Sequence, residues 1–227
     1  MHDPNLSPLD ANAPPSTGKA ATARAVAISP PKFDRAEIMI IGTTPYVQHN
    51  FAAKAIAQIA ETQREGSRSR KGKKREARDF EADWHAAMHI SSEGWCGIPA
   101  PAFRNALISA CRLVGFAMTR AKLSIFIEAD GVDRDGYTPL VRIIGDPEPP
   151  GEPQPVRNES GVVDLRMRPV WLKWQCLLRL RWDADQFSDA DVLNLLARAG
   201  MQVGIGEGRP DSPNSNGLGN GCWEVGR

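Results

Sequence analysis

Alternating hydrophobic and polar positions predict two long strands. In residues 33–43, Ala36, Ile38 and Ile40 fall on one face, and Glu37, Met39 and Ile41 fall on the other. Nearly both faces are apolar, which is typical of a central strand. In residues 170–182, apolar side chains recur at every second position, with Gln, Lys and Arg among the side chains between them. This pattern predicts one long half-buried strand whose open face is basic. That face would carry Trp171, Lys173, Arg179 and Arg181.

Apolar residues at helical spacing predict three helices. They cover residues 50–63, 99–114 and 188–199. In the second helix, Leu107 and Val114 belong to one buried stripe, and Gly115 follows the end of the helix. Ser188 is the predicted N-cap of the third helix, and Gly200 is its predicted end.

Shorter apolar runs predict the remaining strands. Residues 83–91 are expected to form a strand, residues 123–129 and 138–144 a hairpin, and residues 222–225 a closing strand. Because strands and helices are mixed without a regular repeat, the order predicts an α+β fold class.

Length and composition predict a single domain. A chain of 227 residues, 41% of them hydrophobic, can bury one sizeable core. Residues 1–32 are rich in proline and alanine and are expected to form a flexible tail, so the domain covers residues 33–227. Two insertions interrupt it, a basic one at residues 64–80 and a proline-rich excursion at residues 146–161.

Positive charge is concentrated in the first insertion, although the formal net charge is only +1. The basic run consists of Arg64, Arg68, Arg70, Lys71, Lys73, Lys74, Arg75 and Arg78. Such a run attracts a phosphate backbone, and we expect it to bind nucleic acid. A solvated charged loop is the alternative that the sequence leaves open.

The other residue patterns favour no metal and no cofactor. The four cysteines are far apart and form no zinc-binding pair, and His85 and His89 have no third ligand and lack the intervening glutamate of a zinc protease. No apolar run is long enough to span a membrane. We therefore expect a cytoplasmic protein without a membrane partner.

Glycines are concentrated in residues 200–226. The glycines and the arginine that we expect to contact nucleic acid are Gly204, Gly206, Gly208, Arg209, Gly217 and Gly219. This segment resembles the C-terminal glycine-rich loop of the RAMP superfamily of CRISPR-associated proteins. Residues 97–107 resemble a helix start in the backbone subunits of that superfamily, and residues 41–50 resemble the end of their first strand.

The resemblance implies a ferredoxin-like (RNA-recognition-motif-like) core enlarged by insertions. It also implies a protein without catalytic activity that binds single-stranded RNA and assembles side by side along it, as a homo-oligomer or in a multi-subunit ribonucleoprotein. Main-chain N–H groups of the glycine-rich loop would contact phosphates. Arg104 would be a further phosphate contact.

Two other functions remain open at this point. The first is an endoribonuclease that resembles the RNA-processing enzymes of the superfamily, with His49 as the general base. The second is a phage-type protein that binds or anneals single-stranded DNA. Recognition of the 2′-hydroxyl has no linear signature, so the sequence does not separate RNA from DNA.

Overall fold

The computed structural model describes residues 28–50, 78–134, 136–157, 163–212 and 218–226, and the structural statements below concern these residues. The chain divides into two compact units, Met1–Pro30 and Pro31–Arg227, and only residues 28–30 of the first are described. Several predictions lie outside the described residues. They are the greater part of the tail, the helix at residues 50–63 beyond its first residue, and Gly217. The basic run also lies outside them, apart from Arg78.

A four-stranded antiparallel sheet forms the centre of the fold. Its spatial order is β11 (Trp223–Val225), β1 (Phe33–Gly42), β10 (Gln175–Asp183) and β4 (Ile125–Glu128). β1 pairs with β10 along nearly its whole length, from Phe33 opposite Asp183 to Ile41 opposite Gln175. The prediction of a central first strand and a closing last strand is confirmed. The described elements are strands and helices in mixed order, so the α+β class is confirmed as well.

Two helices build the core together with this sheet. α2 (Ala100–Ala110) continues as a 3₁₀ turn to Val114, and α4 (Asp189–Arg198) continues as a π turn to Val203. Ser188 caps α4 as predicted, because its hydroxyl accepts a hydrogen bond from the Asp191 amide and the Asp191 carboxylate accepts one in return. Two details of the prediction are wrong. Val114 is half exposed, and the helical turns end before Gly204 rather than at Gly200.

The predicted strand at residues 83–91 is wrong, since α1 (Phe80–Ala86) occupies its first half. The Asp79 side chain caps this helix by accepting a hydrogen bond from the Ala82 amide, and Trp84 is buried. The local cap therefore outweighs the alternating pattern of the apolar residues.

The predicted hairpin of residues 123–129 and 138–144 is also wrong. The first segment begins in α3 (Met118–Ser124) and continues as β4, which pairs with β10. The second forms β6 (Pro139–Arg142), which pairs with β3 (Gly97–Pro99) and β5 (Gly131–Val132) in a separate sheet. None of the described helices is long and apolar enough to cross a membrane.

The single long strand predicted for residues 170–182 is interrupted. β9 (Val170–Trp171) pairs with β2 (Tyr46–Val47), and a bend at residues 172 and 173 separates it from β10. The bend shifts the alternation, so that Trp171 is fully buried against the Tyr46 ring and Leu172 is 55% exposed. The prediction that Trp171 offers an exposed stacking surface is therefore wrong.

Part of the proline-rich excursion forms regular structure. β7 (Gln154–Arg157) and β8 (Val163–Arg166) pair as an antiparallel ribbon. Arg78 anchors this ribbon, because its guanidinium donates hydrogen bonds to the Asp164 carboxylate (3.1 Å) and the Leu165 carbonyl oxygen (2.8 Å). The last residue of the basic run is thereby held beside β8.

Candidate functional site

The glycine-rich loop folds back on the segment that follows β1. The Glu207 amide donates to the Val47 carbonyl oxygen (2.9 Å), and the Gly221 amide donates to the Pro45 carbonyl oxygen (2.8 Å). Gly206 has φ +79°, and a Cβ there would lie 2.5 Å from the Val47 oxygen. Only glycine permits this close approach, so the loop depends on it for packing within the protein.

This packing contradicts part of the prediction that main-chain N–H groups of the loop contact phosphates. The amides of Gly204, Ile205, Glu207 and Gly221 already donate to carbonyl oxygens of the chain itself. The prediction of a phosphate contact through the Gly204 amide is therefore wrong, because that amide donates its hydrogen bond to the Ala199 carbonyl oxygen. Gly206 and Gly208 line a cleft, where their contact with a ligand stays a prediction.

The cleft lies where the loop meets the segment after β1 and the β7–β8 ribbon. It has a volume of about 470 Å³. The charged side chains and histidines that line it are His49, His89, Arg166, Glu207 and Arg209. His49 and Arg209 were predicted from the sequence, and the fold brings them into one cleft.

Glu207 links two of the basic groups. Its Oε2 atom accepts a hydrogen bond from Arg168 Nε (2.8 Å) and lies 3.7 Å from His49 Nδ1. The Arg168 side chain is only 13% exposed, so this pair is largely shielded from solvent. Two arginines, Arg166 and Arg209, line the cleft together with this one carboxylate, so the charged side chains of the lining carry an excess of positive charge.

Burial favours the neutral form of both histidines in the cleft. Burial lowers the pKa of His49 below its usual value, Arg168 lowers it further, and Glu207 opposes them. Burial likewise lowers the pKa of His89, against a weaker opposing effect of Asp133. Because the usual imidazole pKa is about 6.5, this downward shift favours the uncharged ring at neutral pH.

Gln48 fixes the floor of the cleft. It is 1% exposed, and its Nε2 atom donates to the Gly97 carbonyl oxygen (2.7 Å) and to the Tyr46 hydroxyl (3.1 Å). Its Oε1 atom accepts from the His89 amide (2.9 Å). The side chain thereby joins β2, β3 and the segment after α1, and it sets the spacing between His49 and His89.

The open face of the central sheet is less basic than predicted. Arg179 pairs with Glu37 (3.3 Å) and with Asp130 (2.6 Å). Arg181 packs between the Phe33 and Phe126 rings, with its guanidinium carbon 4.8 and 4.9 Å from their centroids. Carboxylates on β1 and just after β4 therefore offset the positive charge of this face, which weakens its attraction for a phosphate.

Two further predicted contacts lie away from the cleft. Arg104 donates to the Ile125 carbonyl oxygen (3.0 Å) and to the Lys122 carbonyl oxygen, so its guanidinium holds the end of α3 instead of facing the cleft. Lys173 is exposed in the bend before β10. Neither side chain lines the cleft.

The sequence interpretation missed Glu207, Arg166 and Arg168, and it dismissed His89 after considering only a metal. The sequence feature that could have identified Glu207 is its place between two glycines.

Among the described residues, no group of three or more His, Cys, Asp or Glu side chains could hold a metal ion. No protein-family model matches this chain, and no match to it is found among curated proteins.

Proposed function

We propose that this chain binds single-stranded nucleic acid, RNA in preference to DNA, in the cleft around His49. The observation that carries the proposal is a group of three arginines at one cleft. Arg166 and Arg209 line it, and Arg168 is paired with its lining carboxylate, Glu207. Arg166 is also 3.4 Å from the Asp164 carboxylate on the ribbon. Guanidinium groups match the geometry of phosphate oxygens and bind them by charge-assisted hydrogen bonds. Several copies of the protein would lie side by side along one nucleic-acid strand.

We further propose that the core is ferredoxin-like. In chain order, β1, β4, β10 and β11 are the first to fourth strands, with α2 between the first two and α4 between the last two. The spatial order of these strands is four, one, three, two, and all neighbours are antiparallel. This arrangement supports a β-α-β-β-α-β core enlarged by β2, β3 and β5–β9.

The position of the cleft supports a role for the basic run. The run belongs to the stretch between Asn50, which follows His49, and Arg78, which is bonded to the ribbon that carries Arg166. One end of that stretch therefore follows a residue of the cleft directly, and the other end is bonded to the ribbon that forms part of the cleft wall. The basic run would attract the nucleic-acid backbone without sequence preference, while the arginines of the cleft hold one of its phosphates.

Neutralising the basic run is expected to weaken the salt dependence of binding. Each phosphate contact on a single strand contributes about 0.7 to the slope of log affinity against log salt, so replacing Arg68, Arg70, Lys71, Lys73, Lys74 and Arg75 by glutamine should reduce the slope by roughly 4. Fluorescence anisotropy with a labelled single-stranded oligonucleotide, repeated at several salt concentrations, measures this slope. An RNA and a DNA oligonucleotide of equal sequence test the preference, and imaging of the RNA-bound protein tests the assembly.

A matched control replaces three basic residues away from the cleft, Arg35, Lys122 and Arg198, by glutamine. These changes should leave the slope nearly unchanged. A slope that stays the same after neutralisation of the run would contradict its contact with the backbone. Failure of the wild-type protein to bind either oligonucleotide would overturn the proposed function.

RNA cleavage is a second candidate, favoured by the position of Glu207 beside His49. Neutral His49 would take the proton of a 2′-hydroxyl, the 2′-oxygen would attack phosphorus, and the bond to the 5′-oxygen would break. The leaving oxygen needs a proton, and His89 is the donor that lines the same cleft. Burial lowers the pKa of His89, so its protonated form is scarce at pH 7 and the binding role is preferred.

Incubation of end-labelled RNA with the wild-type protein and with His49→Ala separates the two functions. We expect the RNA to remain intact with both proteins at pH 7. Defined fragments that form with the wild type and not with His49→Ala would establish the cleavage function instead. A ladder that both proteins produce would reveal a contaminating nuclease.

A further inference from the structure

Glu207 is the feature of the cleft that a purely cationic site does not explain. A carboxylate repels a phosphate, and yet the loop is built to place it there. Gly206 and Gly208 flank it with φ values of +79° and +78°, and its own amide is fixed by the Val47 carbonyl oxygen. The glycine-glutamate-glycine segment thus presents one side chain to Arg168 and His49.

The contacts of Glu207 indicate what it does. Arg168 donates to Oε2 at 2.8 Å, and His49 Nδ1 lies 3.7 Å from the same oxygen. The charged and titratable groups that act on His49 come from three parts of the fold. They are Glu207 in the loop, Arg166 and Arg168 at the end of β8, and His89 after α1. Glu207 is the one among these that favours a proton on His49.

We propose that Glu207 is a positioning residue, which holds Arg168 and orients His49 so that His49 takes up a proton from solvent when a phosphate of the ligand enters the cleft. This inference rests on the proposed nucleic-acid function. An incoming phosphate adds negative charge beside an imidazole whose neutral form is favoured by burial in the free protein. A protonated imidazole becomes a further cationic donor. Binding and proton uptake are then linked.

The sign of the pH dependence follows from this linkage. A group whose pKa rises on binding strengthens binding as the pH falls, by at most tenfold per pH unit for one proton. Without the charge of Glu207, His49 accepts a proton less readily. The pH range in which affinity rises must therefore move to lower pH in Glu207→Gln.

The test measures the affinity of a labelled 20-nucleotide oligouridine between pH 5.5 and 8.5 at constant ionic strength. For the wild type we expect affinity to rise three- to tenfold as the pH falls through the range. For His49→Gln we expect the affinity to change little with pH. For Glu207→Gln we expect the same rise in affinity as for the wild type, but at a pH lower by at least half a unit. Glu224→Gln, an exposed carboxylate on β11, is the matched control and should follow the wild type.

A second measurement needs no ligand. NMR titration of the imidazole protons in the free protein should show a lower pKa for His49 in Glu207→Gln than in the wild type, with His85 as an internal reference. A Glu207→Gln profile that coincides with the wild type in both experiments would overturn the inference. If the oligonucleotide fails to bind at any pH, the proposed function fails, and the NMR titration still tests the role of Glu207.

Discussion

Replacing Gly221 by alanine is expected to lower the free energy of unfolding by roughly 3–5 kcal/mol. A Cβ at this position would overlap the Ile205 carbonyl oxygen, and φ at Gly221 is +67°, which alanine rarely adopts. Relief by a small backbone shift is blocked on both sides. The Gly221 carbonyl oxygen accepts from the Ile205 amide, and the Gly221 amide donates to the Pro45 oxygen.

Gly219→Ala is the matched control for this change. Gly219 has nearly the same φ, +68°, but nothing lies within 4 Å of the position of its Cβ. Its cost is the left-handed backbone alone, about 1–2 kcal/mol. Urea denaturation followed by circular dichroism measures both variants, and equal losses would contradict the view that the loop is fixed by packing against the protein.

Loss of the cleft arginines should have the largest effect on ligand binding. Arg166→Ala and Arg209→Ala each remove a guanidinium from the cleft while leaving the core intact. A charge-assisted hydrogen bond contributes about 1.5–3 kcal/mol, so each change should weaken oligonucleotide binding by roughly 10- to 100-fold. Fluorescence anisotropy at one fixed salt concentration measures the loss.

Arg35→Ala provides the comparison for these two variants. Arg35 lies on the open sheet face, paired with Glu128 at 3.3 Å, and its side chain is 68% exposed. We expect its removal to change affinity by less than threefold. If all three variants weakened binding equally, the cleft would have no special role and net charge alone would explain the affinity. Melting temperatures confirm that each variant is folded.

The elements that could be predicted from the sequence are those with strong local signals. The Ser188–Asp191 cap and the spacing of apolar residues define α4, and the apolar positions of β1 predict a central strand. The bend at residues 172 and 173 has no such signal, because neither glycine nor proline marks it. The buried position of Trp171 depends on pairing with Tyr46, and no pattern within residues 170–182 indicates that partner.

The electrostatics of the site could be predicted only in part for the same reason. Arg179 and Arg181 look unopposed along β10, whereas their carboxylate neighbours Glu37, Glu128 and Asp130 come from other parts of the chain. His49 was a candidate from its place after β1. Its neighbour Glu207 lies in the last part of the chain, and only the folding of the loop onto Val47 brings the two together.

The place of β1 between β10 and β11 has a consequence during synthesis. β1 leaves the ribosome before its two neighbours in the sheet, which emerge well over 100 residues later. At about 5–20 residues per second, this apolar strand waits on the order of 10 seconds before it can pair. The sheet cannot form on the nascent chain before β10 and β11 have emerged, and His49 cannot approach Glu207 before the glycine-rich loop has emerged. The apolar residues 36–41 therefore lack both neighbouring strands of the sheet during that interval.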